Sequence, residues 1–264
     1  MTIEFTKMHG LGNDFIVIDA INQAIDLSPE KIRMLANRHT GVGFDQLLLV
    51  EKAQIRGVDF NYRIYNADGG EVGQCGNGAR CLARFIHDTG LSDKKELTVA
   101  TFTRKMQIKL LDDNLVSACL GVPTVAINHT QQLKLKDQTI EYFFVDVGNP
   151  HAVIRVKDVS DADVADIGLR LNQHPEFPGG VNVGFLEVVA PDQIRLRVYE
   201  RGTGETQSCG SGACAAVVAG RIMHELTHSV VVSLLGGELR VEWAGEEQPV
   251  WLIGPAESVF RGVF

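Results

Sequence analysis

Two cysteines stand in the same local sequence: Cys75 in Cys-Gly-Asn-Gly-Ala and Cys209 in Cys-Gly-Ser-Gly-Ala. Each is followed by two glycines and then a helix-like run, so each thiol is expected at a helix start. A helix N-terminus offers unpaired N–H groups and partial positive charge. It can cradle a carboxylate, and it lowers the pKa of a thiol toward the neutral range. Two such thiols suit one task well, the inversion of a carbon centre. One thiolate removes a proton from one face while a thiol returns one to the other, so the pair shares a proton and its pKa values belong to the pair. Two helix termini aimed at one carboxylate would stabilise the enolate that forms on the way. No pyridoxal-phosphate lysine or dinucleotide fingerprint is evident, and this chemistry needs no cofactor.

The elements that position the thiols are themselves repeated. Placed at an offset of 134 residues, Arg63–Ala79 and Arg197–Ala213 share eight of seventeen positions. "GNDFIVID" from Gly12 is echoed by "GNPHAVIR" from Gly148 at an offset of 136. "SPEKIRMLANRH" carries a Ser28 cap and a proline in the first turn, a helix signal. Its echo is "SDADVADIGLRLNQH", with Ser160 as the expected cap. Strands alternate around Phe60, Tyr62, Ile64 and around Ile194, Leu196, Val198. "GARCLARFIHDTG" turns Ala79, Leu82, Ala83, Phe85 and Ile86 inward and ends at Gly90. "GACAAVVAGRIMHEL" is apolar almost all round, the mark of a buried helix. The expectation is an α+β fold of two pseudo-symmetric lobes, each an antiparallel sheet wrapped around a central helix. The first lobe spans 1–119, joined by about 256–264, and the second spans 120–255. If the halves face each other, the two thiols flank one cleft.

Composition sets the outer bounds. The chain has 264 residues, 45% hydrophobic and 22% charged, with a net charge of -8. That disfavours a nucleic-acid partner. No apolar run reaches the ~20 residues of a membrane span, and the first residues do not read as a signal peptide. A cytoplasmic protein with reduced thiols is expected. The five cysteines include no CxxC, so a zinc ribbon is not indicated and no metal site is expected. Isolated Cys-Gly pairs say little, since free cysteines are commonly buried packing residues. That reading stands for Cys81, Cys119 and Cys214. Repetition of the whole motif argues against it for Cys75 and Cys209.

Over essentially its whole length the chain resembles diaminopimelate epimerase. The motifs that carry this are "MHGLGNDF", "GVGFDQ", "YNADGGEVGQCGNGARC", "GNPHAV" and "YERGTGETQSCGSGACA". The resemblance implies cofactor-free interconversion of LL- and meso-diaminopimelate in lysine and peptidoglycan precursor synthesis. It implies Cys75 and Cys209 as acid and base, with His151 and Glu200 tuning them. Gly76, Asn77, Gly210 and Ser211 would hold the reacting carboxylate. Asn13, Gln46, Asn66, Asn149 and Asn182 would contact substrate, and Glu200 and Arg201 would bind its charged groups. Glu200 and Arg201 replace the Asn66 and Ala67 of the first half. They therefore break the pseudo-symmetry, and a buried Arg201 would demand a second carboxylate. The resemblance also implies a homodimer, although Phe260 stands where the family has a tyrosine linked to dimer formation. Three alternatives stay open: a proline racemase or hydroxyproline epimerase, whose first motif resembles Cys-Gly-His rather than Cys75-Gly76-Asn77; an isomerase of the phenazine-biosynthesis type, which lacks the cysteine pair; and a redox protein whose thiols form a disulfide.

Overall fold

The structure is a computed structural model and describes residues 2–73, 75–125 and 130–264. Gln74, inside the first cysteine motif, lies outside the described residues. The chain divides into two compact units, Met1–Cys119 with Gly254–Phe264, and Leu120–Ile253.

In the first unit, β1 (Glu4–Gly10) and β2 (Asn13–Asp19) form a hairpin, followed by α1 (Pro29–Ala36). The Ser28 side chain caps α1 by accepting from the Lys31 N–H. Strand β3 (Gln46–Lys52) runs parallel to β2, and β4 (Phe60–Asn66) antiparallel to β3. The short β5 (Glu71–Val72) leads into α2 (Gly76–Asp88). Then β6 (Glu96–Ala100) lies parallel to β4, and β7 (Lys105–Leu110) and β8 (Leu115–Gly121) complete a meander. The inward stripe expected of α2 is buried, from Ala79 through Ile86, and the chain leaves the helix through Gly90 at φ 71°. That left-handed turn is one glycine adopts without strain.

The second unit repeats the order. After β9 (Thr124–Val125) and β10 (Gln131–Lys134), β11 (Thr139–Asp146) pairs antiparallel with β12 (Pro150–Arg155). A 3-10 turn over Val159–Asp161 precedes α3 (Val164–Asn172). Here the sequence expectation is corrected: the cap of α3 is Asp163, whose side chain accepts from the Asp166 N–H, and not Ser160. Ser160 instead donates its own N–H and hydroxyl to Asp158, which caps the start of the 3-10 turn. Strand β13 (Asn182–Ala190) runs parallel to β12, and β14 (Gln193–Glu200) antiparallel to β13. Next come β15 (Gly204–Glu205) and α4 (Gly210–Ile222). Strand β16 (Ser229–Leu234) lies parallel to β14, and β17 (Gly237–Trp243) and β18 (Val250–Pro255) follow antiparallel. The last strand, β19 (Glu257–Val263), pairs with β1 of the first unit.

The class is α+β. Each sheet is mostly antiparallel, with parallel joins at β2–β3 and β4–β6 in one unit and at β12–β13 and β14–β16 in the other. Each join spans an intervening helix or hairpin, the connection that parallel neighbours need. In each unit one helix sits inside the sheet. Helix α2 packs on β1, β2, β3, β7 and β19, and α4 on β11, β12, β13, β14 and β17. Burial on every side explains why α4 lacks a polar face.

Candidate active site

Cys75 and Cys209 occupy equivalent places: each is the residue before a helix of thirteen residues, in extended backbone. Each sulfur takes the place usually held by a Ser or Asp oxygen and accepts the N–H three residues on. Gly78 N–H reaches Cys75 Sγ at 3.3 Å, and Gly212 N–H reaches Cys209 Sγ at 3.4 Å. The second glycine of each motif is there to admit the sulfur. A Cβ on Gly212 would lie 3.2 Å from Cys209 Sγ and 3.0 Å from Val198 Cγ2. One on Gly78 would lie 3.4 Å from Cys75 Sγ. The backbone just upstream is pinned in both units. Thr101 and Thr103 hydroxyls donate to Gly73 O at 2.7 and 2.8 Å, and Gly236 N–H donates to Gln207 O at 2.8 Å.

In the first unit, Asn13 at the start of β2 meets the cysteine motif. Its Oδ1 accepts from Asn77 Nδ2 at 3.2 Å and, at 4.0 Å, from the Cys75 thiol. Gln46 at the start of β3 donates from Nε2 to Asn66 Oδ1, the end of β4, at 2.8 Å. Gly76 and Asn77 are buried in the first turn of α2.

In the second unit, a hydrogen-bonded chain approaches Cys209. Its sulfur lies 3.6 Å from Ser211 Oγ, which accepts from Asn149 Nδ2 at 3.2 Å. Asn149 Oδ1 faces His151 Nε2 at 3.3 Å. Asn182 donates to Pro150 O at 3.2 Å and accepts the Arg201 N–H at 2.9 Å. Gly210 opens α4 and is buried. Glu200 ends β14 within hydrogen-bonding reach of the Cys209 thiol, and Thr206 Oγ1 donates to its Oε1 at 2.5 Å.

The electrostatics correct two expectations. The Cys209 thiol is not lowered: burial and then the Glu200 carboxylate push it well up, and the Ser211 and Gly212 hydrogen bonds offset only part of this. Fully desolvated, the thiolate loses more than the helix terminus returns. Cys209 therefore rests as the protonated, acid form. Arg201 is exposed rather than buried, and its Nη1 donates to Gly179 O at 2.9 Å. The penalty for leaving a buried cation unmatched does not apply to it. His151 is fully buried, and burial followed by the Arg201 charge holds its pKa down to about 3. It is a neutral imidazole that reaches Cys209 only through Asn149 and Ser211.

Sequence reasoning passed over one cluster. Asp14 bridges Lys7 at 2.5 Å and Arg38 at 2.7 and 2.9 Å, and Arg38 also holds Asp45 at 2.7 Å. Burial alone would raise the Asp14 carboxyl, but Arg38 and Lys7 outweigh it and hold it at about 2. The signal was available: Asp14 and Asp45 stand beside Asn13 and Gln46 within their motifs. Among the described residues, no group of three His, Cys, Asp or Glu side chains is arranged to hold a metal ion.

This two-unit α+β fold is shared with solved structures of racemases, epimerases and phenazine-biosynthesis proteins. A hydroxyproline epimerase from Agrobacterium vitis superposes with a TM-score of 0.76 over 99% of this chain and 92% of its own, at 14% identity. A PhzF-family phenazine biosynthesis protein from Bacillus anthracis does so with a TM-score of 0.72 at 17% identity, over 100% and 99%. These likenesses concern the fold. The diaminopimelate epimerase family model matches residues 5–125 and 143–259. Diaminopimelate epimerases of Legionella pneumophila strains Lens and Corby are each 50% identical to this chain over 273 aligned residues, covering 99% of both partners. The chain belongs to the diaminopimelate epimerase family and is an isomerase acting on a small molecule.

Proposed function

We propose that this protein interconverts LL- and meso-2,6-diaminopimelate without a cofactor, with Cys75 and Cys209 as its acid–base pair. The observation that carries this reading is the duplicated cap. Two sulfurs each accept a backbone N–H at a glycine-lined helix start, in a chain of this family. Inversion takes the α-proton from one face and returns a proton to the other, and one thiolate and one thiol supply both steps. The α-carboxylate is held by the first-turn groups of α2 and α4: Gly76 and Asn77, and Gly210 and Ser211. Asn13, Gln46, Asn66, Asn149 and Asn182 orient the substrate.

Glu200 has two tasks in this scheme. Its charge keeps Cys209 protonated, and a substrate ammonium paired with it cancels that charge. Binding then favours loss of the Cys209 proton, so the base forms when substrate is present. Arg201 reads the distal carboxylate from an exposed position. His151 tunes Cys209 through Asn149 and Ser211. The same reading makes the protein a cytoplasmic homodimer with no nucleic-acid partner, supported by its net charge of -8.

The test is α-proton exchange on diaminopimelate in deuterated buffer under reducing conditions. Wild type should exchange and epimerise. Cys75→Ala and Cys209→Ala should each lose at least ~100-fold, and the double variant little more, because the pair acts as a unit. Either single variant retaining more than about a tenth of wild-type turnover overturns the assignment.

A further inference from the structure

We propose that Asp45 is a positioning residue for Cys75, acting through the amide of Asn13. The inference rests on the reading of Cys75 as an acid–base group. An asparagine amide offers a carbonyl on one side and two N–H donors on the other. The side that faces the thiol decides which form of the thiol it favours. A carbonyl accepts from S–H and favours the thiol, whereas an N–H donates to sulfur and favours the thiolate.

The structure fixes this choice from behind. Asn13 Nδ2 lies 2.9 Å from Asp45 Oδ2, an oxygen of the carboxylate that Arg38 pairs with, which accepts and does not donate. The nitrogen must therefore face Asp45, which leaves Oδ1 for Cys75 and Asn77. Asp45 cannot turn away. Its Oδ2 also accepts the Asp14 N–H at 3.2 Å, and its Oδ1 accepts from Arg38 Nη2 at 2.7 Å. Arg38 is itself clamped on Asp14, and Asp14 on the buried Lys7. The line from Lys7 through Asp14, Arg38, Asp45 and Asn13 to Cys75 stays within one unit and joins β1, β2, the segment after α1 and the start of α2. Tyr62 on β4 and Cys81 in α2 also sense the Cys75 charge. A Cys75 held as thiol by this line suits the step in which it returns a proton.

Asp45→Asn places an amide where Arg38, the Asp14 N–H and Asn13 all demand an oxygen. With the oxygen kept by Arg38, the new N–H opposes both the Asp14 N–H and Asn13, and of these the Asn13 amide is the one that can turn over and present its own N–H groups to the sulfur. Alkylation of Cys75 by iodoacetamide, followed by peptide mass spectrometry across a pH series, reads the thiolate directly and needs no substrate. It therefore tests this inference separately from the catalytic reading, which the Cys75→Ala turnover assay tests. The thiolate fraction near neutrality should rise about 3- to 10-fold in Asp45→Asn. Loss of the carboxylate's charge would act in the same direction, so the variant is repeated in an Asn13→Ala background. There the rise should shrink to the part that the charge alone contributes. An unchanged alkylation profile in Asp45→Asn, or a rise of the same size without Asn13, overturns the proposal. Neutron diffraction of the wild-type protein gives an answer that needs no variant. The deuterons of Asn13 should point at Asp45, and deuterons pointing at Cys75 refute it.

Discussion

At Cys209 the folded chain works against the intrinsic preference of the position. A sulfur at the start of α4 accepts an N–H and sits at the positive end of a helix, yet burial and Glu200 keep its proton on. Replacing Glu200 with Gln removes the one carboxylate in that balance. The Cys209 pKa should fall, and alkylation at mildly alkaline pH should rise by about 3-fold or more, read by peptide mass spectrometry. Turnover should fall, since the variant cannot pair with a substrate ammonium. His151 gives a second test. Its folded pKa of about 3 lies below the ordinary histidine value of 6.5, so the unfolded chain binds a proton that the native chain refuses. The stabilisation is fully present above ~6.5 and declines as pH falls toward the folded value, by at most about 1.4 kcal/mol per pH unit. Urea unfolding at about pH 7 and about pH 5 should show this loss in wild type and a flatter dependence in His151→Gln. An identical slope in both proteins means the buried ring is not its source. The cysteines could be found in the sequence because their motifs repeat. Burial has no sequence signature of that kind, so the direction of the Cys209 shift and the exposure of Arg201 were misread.

The elements follow from the repeat more directly than the charges do. The offset of 134 residues puts one cysteine cap over the other, and the offset of 136 puts Asn13 over Asn149 and Gln46 over Asn182. The parallel joins obey the same relation: Phe15 pairs with Gln46, and His151 with Asn182. Those joins were not legible in the sequence, because alternation of apolar residues fixes which side chains face inward but not which strand lies alongside. The α3 cap was missed for a local reason. Asp158, Ser160 and Asp163 are all capping types, and only the fold shows which one ends its turn. The second glycine after each cysteine cap supports a sharper prediction. Gly212→Ala would place a methyl group 3.0 Å from Val198 and 3.2 Å from the Cys209 sulfur. Both neighbours are buried, so the helix start must shift and the N–H to sulfur bond lengthens. We expect a loss of about 1–2 kcal/mol in stability, as for other caps and overpacked sites. A calorimetric melt and a turnover assay check this, and activity should fall further than stability explains. Gly78→Ala should act in the same sense but more mildly, since its nearest contact is 3.3 Å.

For the whole molecule, the chain end is the informative feature. Strand β19 closes the first unit by pairing with β1, and Gly262 is required there because a Cβ would lie 2.7 Å from the Phe5 ring. Phe260 lies edge-on to Phe5 at 6.0 Å and keeps 49% of its surface exposed. Val263 on the opposite face is 62% exposed, and Val259, where the strand bulges, is 56% exposed. A strand that leaves apolar side chains open on both faces suits burial against a second copy, which is the homodimer proposed above. Seven residues cannot supply the ~800 Å² per partner of a stable interface, so β19 would form its centre and neighbouring strands its rim. Phe260 supports such an interface by packing alone, and Phe260→Tyr should leave the association state unchanged. Charges on the other face should not be tolerated there. Val259→Lys combined with Val263→Lys leaves the Phe5–Phe260 contact intact, so the melting temperature of the monomer should hold while dimerisation weakens by at least ~100-fold, the cost of two desolvated charges. Sedimentation velocity across a dilution series reads this directly. A wild-type chain that stays monomeric at every concentration, or a double variant that dimerises as wild type does, removes β19 from the interface.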